Sequence, residues 1–267
     1  MILKRKLLGL RYEQYWFDGP AYLASSADVA ALRTHGEIQG VTGEWTPAFS
    51  GPCQCRIPEF TLVVSLTPAE DEIVAGFEAR ARASIRNAQR TVKVTWASTP
   101  EERQEFYRGY SAFAAGRGLL IPDAREEEDL DLLFARDAGG DLIQAAAFLQ
   151  ARGPGIYRYR YGFSVKKTQA NAGILFEAMR RAKANGFTRF DLGGVTPGAK
   201  PGSAAAGINF FKSQFGGAEV RGHLCLRGRT PLLRMALRIL QAGVPMAPAL
   251  KAVAGFASHF ANRITGH

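Results

Sequence analysis

The 267-residue sequence predicts a mixed α/β protein, and three observations carry that expectation. Two Thr-Pro capping sequences each open a helix directly after an extended segment. A perfectly alternating strand follows a Gly-Pro-Gly turn. A strand hairpin then runs into a helix and a further strand, which is the second half of a mixed α/β domain.

The elements follow in order. Phe60–Leu66 reads as a buried strand of apolar and β-branched residues. Thr67, Pro68 and Glu70 form a capping box with proline at the first helical position. The expected helix extends to about Arg90, with Ile73, Phe77, Ala81 and Ile85 along one face. Its last turns hold Arg80, Arg82, Arg86 and Arg90, which a helix C-terminus favours through its dipole. Val92–Trp96 alternates as a strand. Thr99, Pro100 and Glu102 open a second capped helix to about Gly116. Arg125–Phe134 reads as a short helix and Leu142–Arg152 as an apolar strand.

After the Gly153–Gly155 turn, Ile156–Gly162 alternates Tyr157, Tyr159 and Tyr161 on one face with Arg158 and Arg160 on the other. Those tyrosines line either a core or one side of a substrate groove. Gln169–Asn185 is an amphipathic helix, apolar at Ile174, Leu175, Ala178, Met179 and Ala182 and stopped by Gly186. Thr188–Leu192 is the next strand. A Gly/Ala/Pro-rich loop covers Gly193–Gly207, and a last strand lies near Glu219–Leu226. From Thr230 onward two amphipathic segments recur, Leu233, Leu237 and Leu240 in one, Val253, Phe256, Phe260 and Ile264 in the other. Such a tail packs on its own domain or lies on a membrane surface.

Composition narrows the function. The formal net charge of +10 suits anionic partners such as RNA, nucleotide-linked substrates or an acidic membrane, and is equally the signature of an Arg-rich genome. No run reaches the ~20 apolar residues of a membrane-spanning helix, and the basic opening is too short for a secretory signal. Cys53, Cys55 and Cys225 lack zinc, redox or disulfide spacing and are expected as incidental thiols in a reducing cytosol. His35, His223, His259 and His267 have no metal-ligand spacing. No metal and no cofactor is expected.

Three stretches carry a family resemblance: NAGILFEAMRRAKANG at Asn171–Gly186, FDLGGV at Phe190–Val195, and GINFFKSQFGG at Gly207–Gly217. Together they resemble the FemAB-type (FemABX) aminoacyltransferase signature, in which a helix ending A-K-x-x-G feeds a strand ending D-x-G-G. A loop and G-(I/L)-x-x-F-K-x-x-F-G-G follow. Upstream, RNAQRTV at Arg86–Val92 is similar to the family's R-x-A-x-R-x-G-V, with Thr91 in place of glycine. The resemblance spans Ile73 to Arg227.

The resemblance implies a GNAT-like mixed sheet flanked by helices, in tandem lobes with a reduced first lobe. The corresponding boundaries are 1–97, 98–228 and an amphipathic tail, 229–267. It implies transfer of an acyl group, often an amino acid from charged tRNA, to an amine on an envelope precursor or a specialised metabolite. The protein would be cytoplasmic, with the tail available for peripheral membrane contact. No coiled-coil insertion for gripping tRNA is visible, and no acetyl-CoA pyrophosphate loop of the Q/R-x-x-G-x-G/A kind. An acyl-CoA or acyl-carrier donor and a non-catalytic RNA- or membrane-binding role are the alternatives.

Amide formation from an ester or thioester builds negative charge on the carbonyl oxygen, so a fixed cation there lowers the barrier. Lys212, between aromatic residues and a Gly-Gly turn, is the candidate cation, with Phe211 shaping the pocket beside it. Asp191, at a strand end before Gly193 and Gly194, suits a base or a turn-capping carboxylate. The two glycines permit positive φ or close substrate approach. Arg86, Arg158 and Arg160 are candidates for phosphate contacts, with Tyr159 and Tyr161 on the opposite face of the same strand.

Overall fold

A computed structural model describes residues 2–7, 10–16, 38–44, 55–115, 130–151, 155–166, 168–228, 234 and 238. The strands are β1 (Ile2–Leu7), β2 (Leu10–Trp16), β3 (Ile38–Glu44), β4 (Cys55–Ser65), β5 (Lys93–Trp96), β6 (Leu130–Arg136), β7 (Leu142–Ala151), β8 (Ile156–Ser164), β9 (Arg189–Val195) and β10 (Ala218–Gly228). The helices are α1 (Glu70–Ala75), α2 (Ala79–Thr91), α3 (Pro100–Ala115), α4 (Ala170–Ala184) and α5 (Ala204–Ser213). The expected tail segments, Gly153–Pro154 and residues 125–129 lie outside the described residues.

The chain divides into two compact units. One comprises Met1–Thr61, Gly194–Gly207 and Val220–His267, the other Leu62–Gly193 and Ile208–Glu219. The sequence boundary at 97/98 therefore falls inside the second unit. In the first unit the strand order is β1-β2-β3-β10, with β2 and β3 parallel and the other pairs antiparallel. In the second it is β4-β9-β8-β7-β6-β5. There β5 to β8 form an antiparallel meander, and α4 carries the chain across to β9, parallel to β8. This is the mixed sheet with flanking helices that the sequence predicts.

The core of the second unit lies between the sheet and the helix pair α2 and α4, around Phe148, Tyr157, Ile174, Leu175, Phe190 and Phe215. The two helices approach closely at Gly173, where an added Cβ would lie 2.7 Å from the Ala88 methyl. The small residues of α4 are thus what allow it to seat against α2. On the other sheet face α3 brings Phe106 and Tyr110 against Phe134, Tyr161 and Phe163. The α3 capping box forms as predicted: Glu102 N–H donates to Thr99 Oγ1 at 3.2 Å, and Thr99 N–H to Glu102 Oε2 at 3.2 Å.

Three expectations need correction. The helix predicted from Thr67 to Arg90 is two helices, the first starting only at Glu70, with the Ala69 N–H donating to Glu72 Oε2 at 3.0 Å. The break falls where Phe77 turns inward and stacks edge-on against Phe215 at 5.5 Å. Glu78 N–H donates to Gln214 O, and the Arg82 guanidinium donates to Ala75 O and Phe77 O, fixing the bend. Leu130–Phe134 is strand, not helix. Leu130 and Leu132–Ala135 are buried on both faces of β6, and a short run apolar on every side has no period to distinguish strand from helix. The segment 193–207 is only partly loop, since its first residues extend β9 and its last begin α5.

Candidate functional site

The site is built where β8 and β9 part. The two strands pair at only three positions, Ile156 with Arg189, Tyr157 with Phe190 and Arg158 with Asp191. Just beyond, the β7–β8 register slips between Ala147 and Phe148, so that Tyr161 faces Ala147 and Tyr159 faces Phe148. This is a β-bulge, which bends the strand and re-aims its side chains.

The bulge overturns the simple alternation predicted for β8. Tyr157 is fully buried in the α2/α4 core, whereas Tyr161 packs on Tyr110 of α3 at 4.5 Å between ring centroids. Tyr161 thus belongs to the opposite hydrophobic layer. Tyr157 donates its hydroxyl to Asp131 Oδ2 at 2.6 Å, and burial first, then that carboxylate, pushes its phenol pKa upward. Tyr159 lies between these regions, beside Phe148, and burial raises its phenol as well.

Asp191 sits where β8 and β9 last pair. Its Oδ1 accepts the backbone N–H of Gly193 at 2.7 Å, and its Oδ2 lies 3.3 Å from Arg158 Nε. Both side chains are about nine-tenths buried, with relative exposures of 8% and 10%. Asp191 therefore has the geometry of the turn-capping carboxylate, one of its two expected readings. The guanidinium of Arg158 is engaged with that carboxylate inside the fold.

Gly193 has φ +81°, a left-handed conformation that favours glycine, and is packed tightly. A Cβ added there would lie 3.1 Å from Tyr159 O and 3.4 Å from Lys212 Nζ. The ammonium of Lys212 thus reaches the backbone of the β9 turn. It also lies 6.0 Å from the Tyr159 ring centroid, at the outer limit of a cation–π contact. Lys212 is the one charged residue of α5, stands in its last turn where the dipole favours a cation, and is only 9% exposed. A lysine so enclosed is held by its surroundings rather than waving in solvent.

The structure therefore gathers Asp191, Arg158, Gly193, Tyr159 and Lys212 at one point of the second unit. Phe211 is half-buried, its ring packed edge-on against Phe215 at 5.4 Å between centroids. The exposed member of the pair is Phe210. Arg86 projects from the solvent side of α2, on the helix layer. Arg160 occupies the bulge itself, and Gly194 follows Gly193 into the first unit. Sequence reasoning missed the bulge: nothing in a strictly alternating Tyr-Arg pattern shows a register slip imposed by the neighbouring strand. Among the described residues no group of three His, Cys, Asp or Glu side chains is placed to hold a metal ion. No helix among them is long and apolar enough to cross a membrane.

A mixed sheet whose parallel strands diverge around a helix crossover, bulged at the parting, defines this chain as having a GNAT-type fold of the FemX kind. It is similar to the crystal structure of FemX, with a TM-score of 0.58 and 14% identity over 83% of each chain. It is also similar to the C-terminal domain (DUF2156) of a putative lysylphosphatidylglycerol synthetase from Agrobacterium fabrum, with a TM-score of 0.52. That match has 14% identity and covers 91% of this chain and 84% of the other. L-PGS from Bacillus licheniformis gives a TM-score of 0.53 at 13% identity, covering 88% and 86%. No family model matches the chain, and no curated protein matches it either.

Proposed function

We propose that this protein is an acyl or aminoacyl transferase that forms an amide bond on an amine-bearing acceptor. The observation that carries the reading is the enclosed ammonium of Lys212 against the Gly193 turn, at the parting of β8 and β9. Attack of the amine on the donor carbonyl makes a tetrahedral carbon and an oxyanion. Collapse then breaks the C–O or C–S bond, the proton lost by the amine ending on the departing oxygen or sulfur, and leaves the amide. A cation fixed before reaction is worth a few kcal/mol to that oxyanion, because nothing has to reorganise when the charge appears. Asp191 and Arg158 act as positioning residues here: the carboxylate holds the Gly193 N–H and the guanidinium holds the carboxylate.

Aminoacyl-tRNA is the preferred donor, on the FemABX-like motifs around Lys183, Asp191 and Lys212, and the acceptor is an envelope precursor, an envelope lipid or a specialised metabolite. The place of action is the cytoplasm, reaching the inner face of the membrane. An acyl-CoA or acyl-carrier thioester is the alternative donor, since the same attack by an amine then breaks a C–S bond in place of a C–O bond.

The test is donor discharge by the full chain and by Lys212→Met, with a pool of charged tRNAs, an acyl-CoA panel and a generic amine. Lys212-dependent loss of one aminoacyl-tRNA supports the first donor, and loss of a thioester the second. Discharge that Lys212→Met leaves unchanged removes the proposed site.

A further inference from the structure

The outer surface of α5 is apolar to an extent that its own fold does not use. Ile208 and Phe210 are 50% and 53% exposed, two of the three large hydrophobic side chains so exposed among the described residues. Ala204 and Gly207 are exposed on the same helix, so its outward side offers no charge of its own. Charge is supplied by the neighbouring helix. The guanidinium of Arg80, at the start of α2, lies over the Phe210 ring at 5.5 Å. The solvent side of α2 then continues through Arg86 and Arg90, and α2 contains no acidic residue.

An exposed aliphatic and an exposed aromatic side chain, rimmed on one side by a stripe of arginines, match a lipid surface in both parts. The apolar pair enters the boundary between headgroups and acyl chains while the arginines meet phosphates. RNA matches less well, because Ile208 has no ring on which a base can stack.

We propose that α5 and the outer stripe of α2 form a docking surface for an anionic bilayer, with Ile208 and Phe210 inserted and Arg80, Arg86 and Arg90 on the headgroups. Docking does not depend on the transferase reading, since vesicle binding requires no turnover.

The test uses the full chain with vesicles of phosphatidylglycerol and phosphatidylcholine, or of phosphatidylcholine alone. Phe210→Trp supplies a local probe, read as a blue shift on vesicle addition and as quenching by lipids brominated along the acyl chain. The proposal expects both signals with anionic vesicles and neither with zwitterionic ones. Ile208→Ser in the wild-type background should weaken sedimentation with anionic vesicles several-fold. Arg86→Gln with Arg90→Gln should weaken it about twenty-five-fold, at about five-fold per arginine near a charged membrane. These side chains are exposed, and an unchanged circular dichroism melt verifies that the variants fold. Sedimentation without quenching of the position-210 tryptophan places membrane contact elsewhere in the chain and overturns the proposal. So does a position-210 signal that answers to an RNA oligonucleotide and not to vesicles, or binding to neither.

Discussion

Replacing Asp191 with alanine removes two interactions at once, and the structure sets the size of each. The carboxylate lies 3.3 Å from Arg158 Nε, both groups being about nine-tenths buried. At an effective dielectric of about 20 the Coulomb attraction at that distance is about 5 kcal/mol. Desolvation of both charges offsets part of it, but removing one partner of a buried pair still costs about 3–5 kcal/mol. The second loss is the 2.7 Å hydrogen bond from Gly193 N–H, worth about 1 kcal/mol. Asp191→Ala is therefore expected to destabilise by about 4–6 kcal/mol. Asp191→Asn retains an oxygen for the Gly193 N–H and is expected to cost about 1 kcal/mol less. Urea unfolding of the wild type, Asp191→Asn, Arg158→Met and the double variant measures the coupling, expected at about 2 kcal/mol. Single variants within about 0.5 kcal/mol of wild type, or additive losses, would refute the claim that this pair organises the turn.

Gly193→Ala, with φ +81° and a Cβ only 3.1 Å from Tyr159 O, is expected to cost about 1–2 kcal/mol in urea unfolding and to lower turnover by displacing Lys212. Lys183 donates to Leu66 O at 2.7 Å, Thr67 O at 3.4 Å and Pro68 O at 2.5 Å. Lys183→Met should lose about 2 kcal/mol of stability while leaving the chemistry of Lys212 untouched. The Glu102 carboxyl titrates below its ordinary value of 4.5, chiefly because the Ser98 backbone N–H donates to it. A lowered folded-state pKa stabilises the fold above the ordinary value, and that contribution is lost as pH falls through and below it. Glu102→Gln should accordingly flatten the melting temperature between about pH 5 and pH 3 relative to wild type.

The sequence makes the second unit legible where local signals agree with burial. The Thr99 capping box, the buried face of α4 around Ile174 and Met179, and the strand at Phe190–Leu192 all form where their patterns place them. It fails where a neighbouring element decides. Phe77 has helical spacing with Ile73 and Ala81, yet the pull of Phe215 into the core breaks the helix there. Tyr161 has strand spacing with Tyr157, yet the bulge against β7 sends the two rings to different layers.

At the site, Asp191 and Lys212 stood out because they flank glycines in a recognisable motif, and the structure brings them to one place. Arg158 read as a candidate phosphate contact, and its pairing with Asp191 was not legible because Asp191 lies on a strand that becomes its neighbour only through the parallel crossover. Of two adjacent phenylalanines, one-dimensional spacing gives no way to choose the inward one. The contact of Phe211 with Phe215 makes that choice.

In the proposed reaction the Lys212 ammonium stabilises charge that develops during acyl transfer. Single-turnover kinetics with a saturating donor, alongside donor binding at equilibrium, test it most directly for wild type, Lys212→Met and Lys212→Arg. Lys212→Met is expected to lower the rate of transfer by about 10²–10³-fold with donor affinity nearly unchanged, and Lys212→Arg to restore part of the rate. A Lys212→Met rate equal to wild type, or a loss that lies wholly in donor affinity, would contradict it.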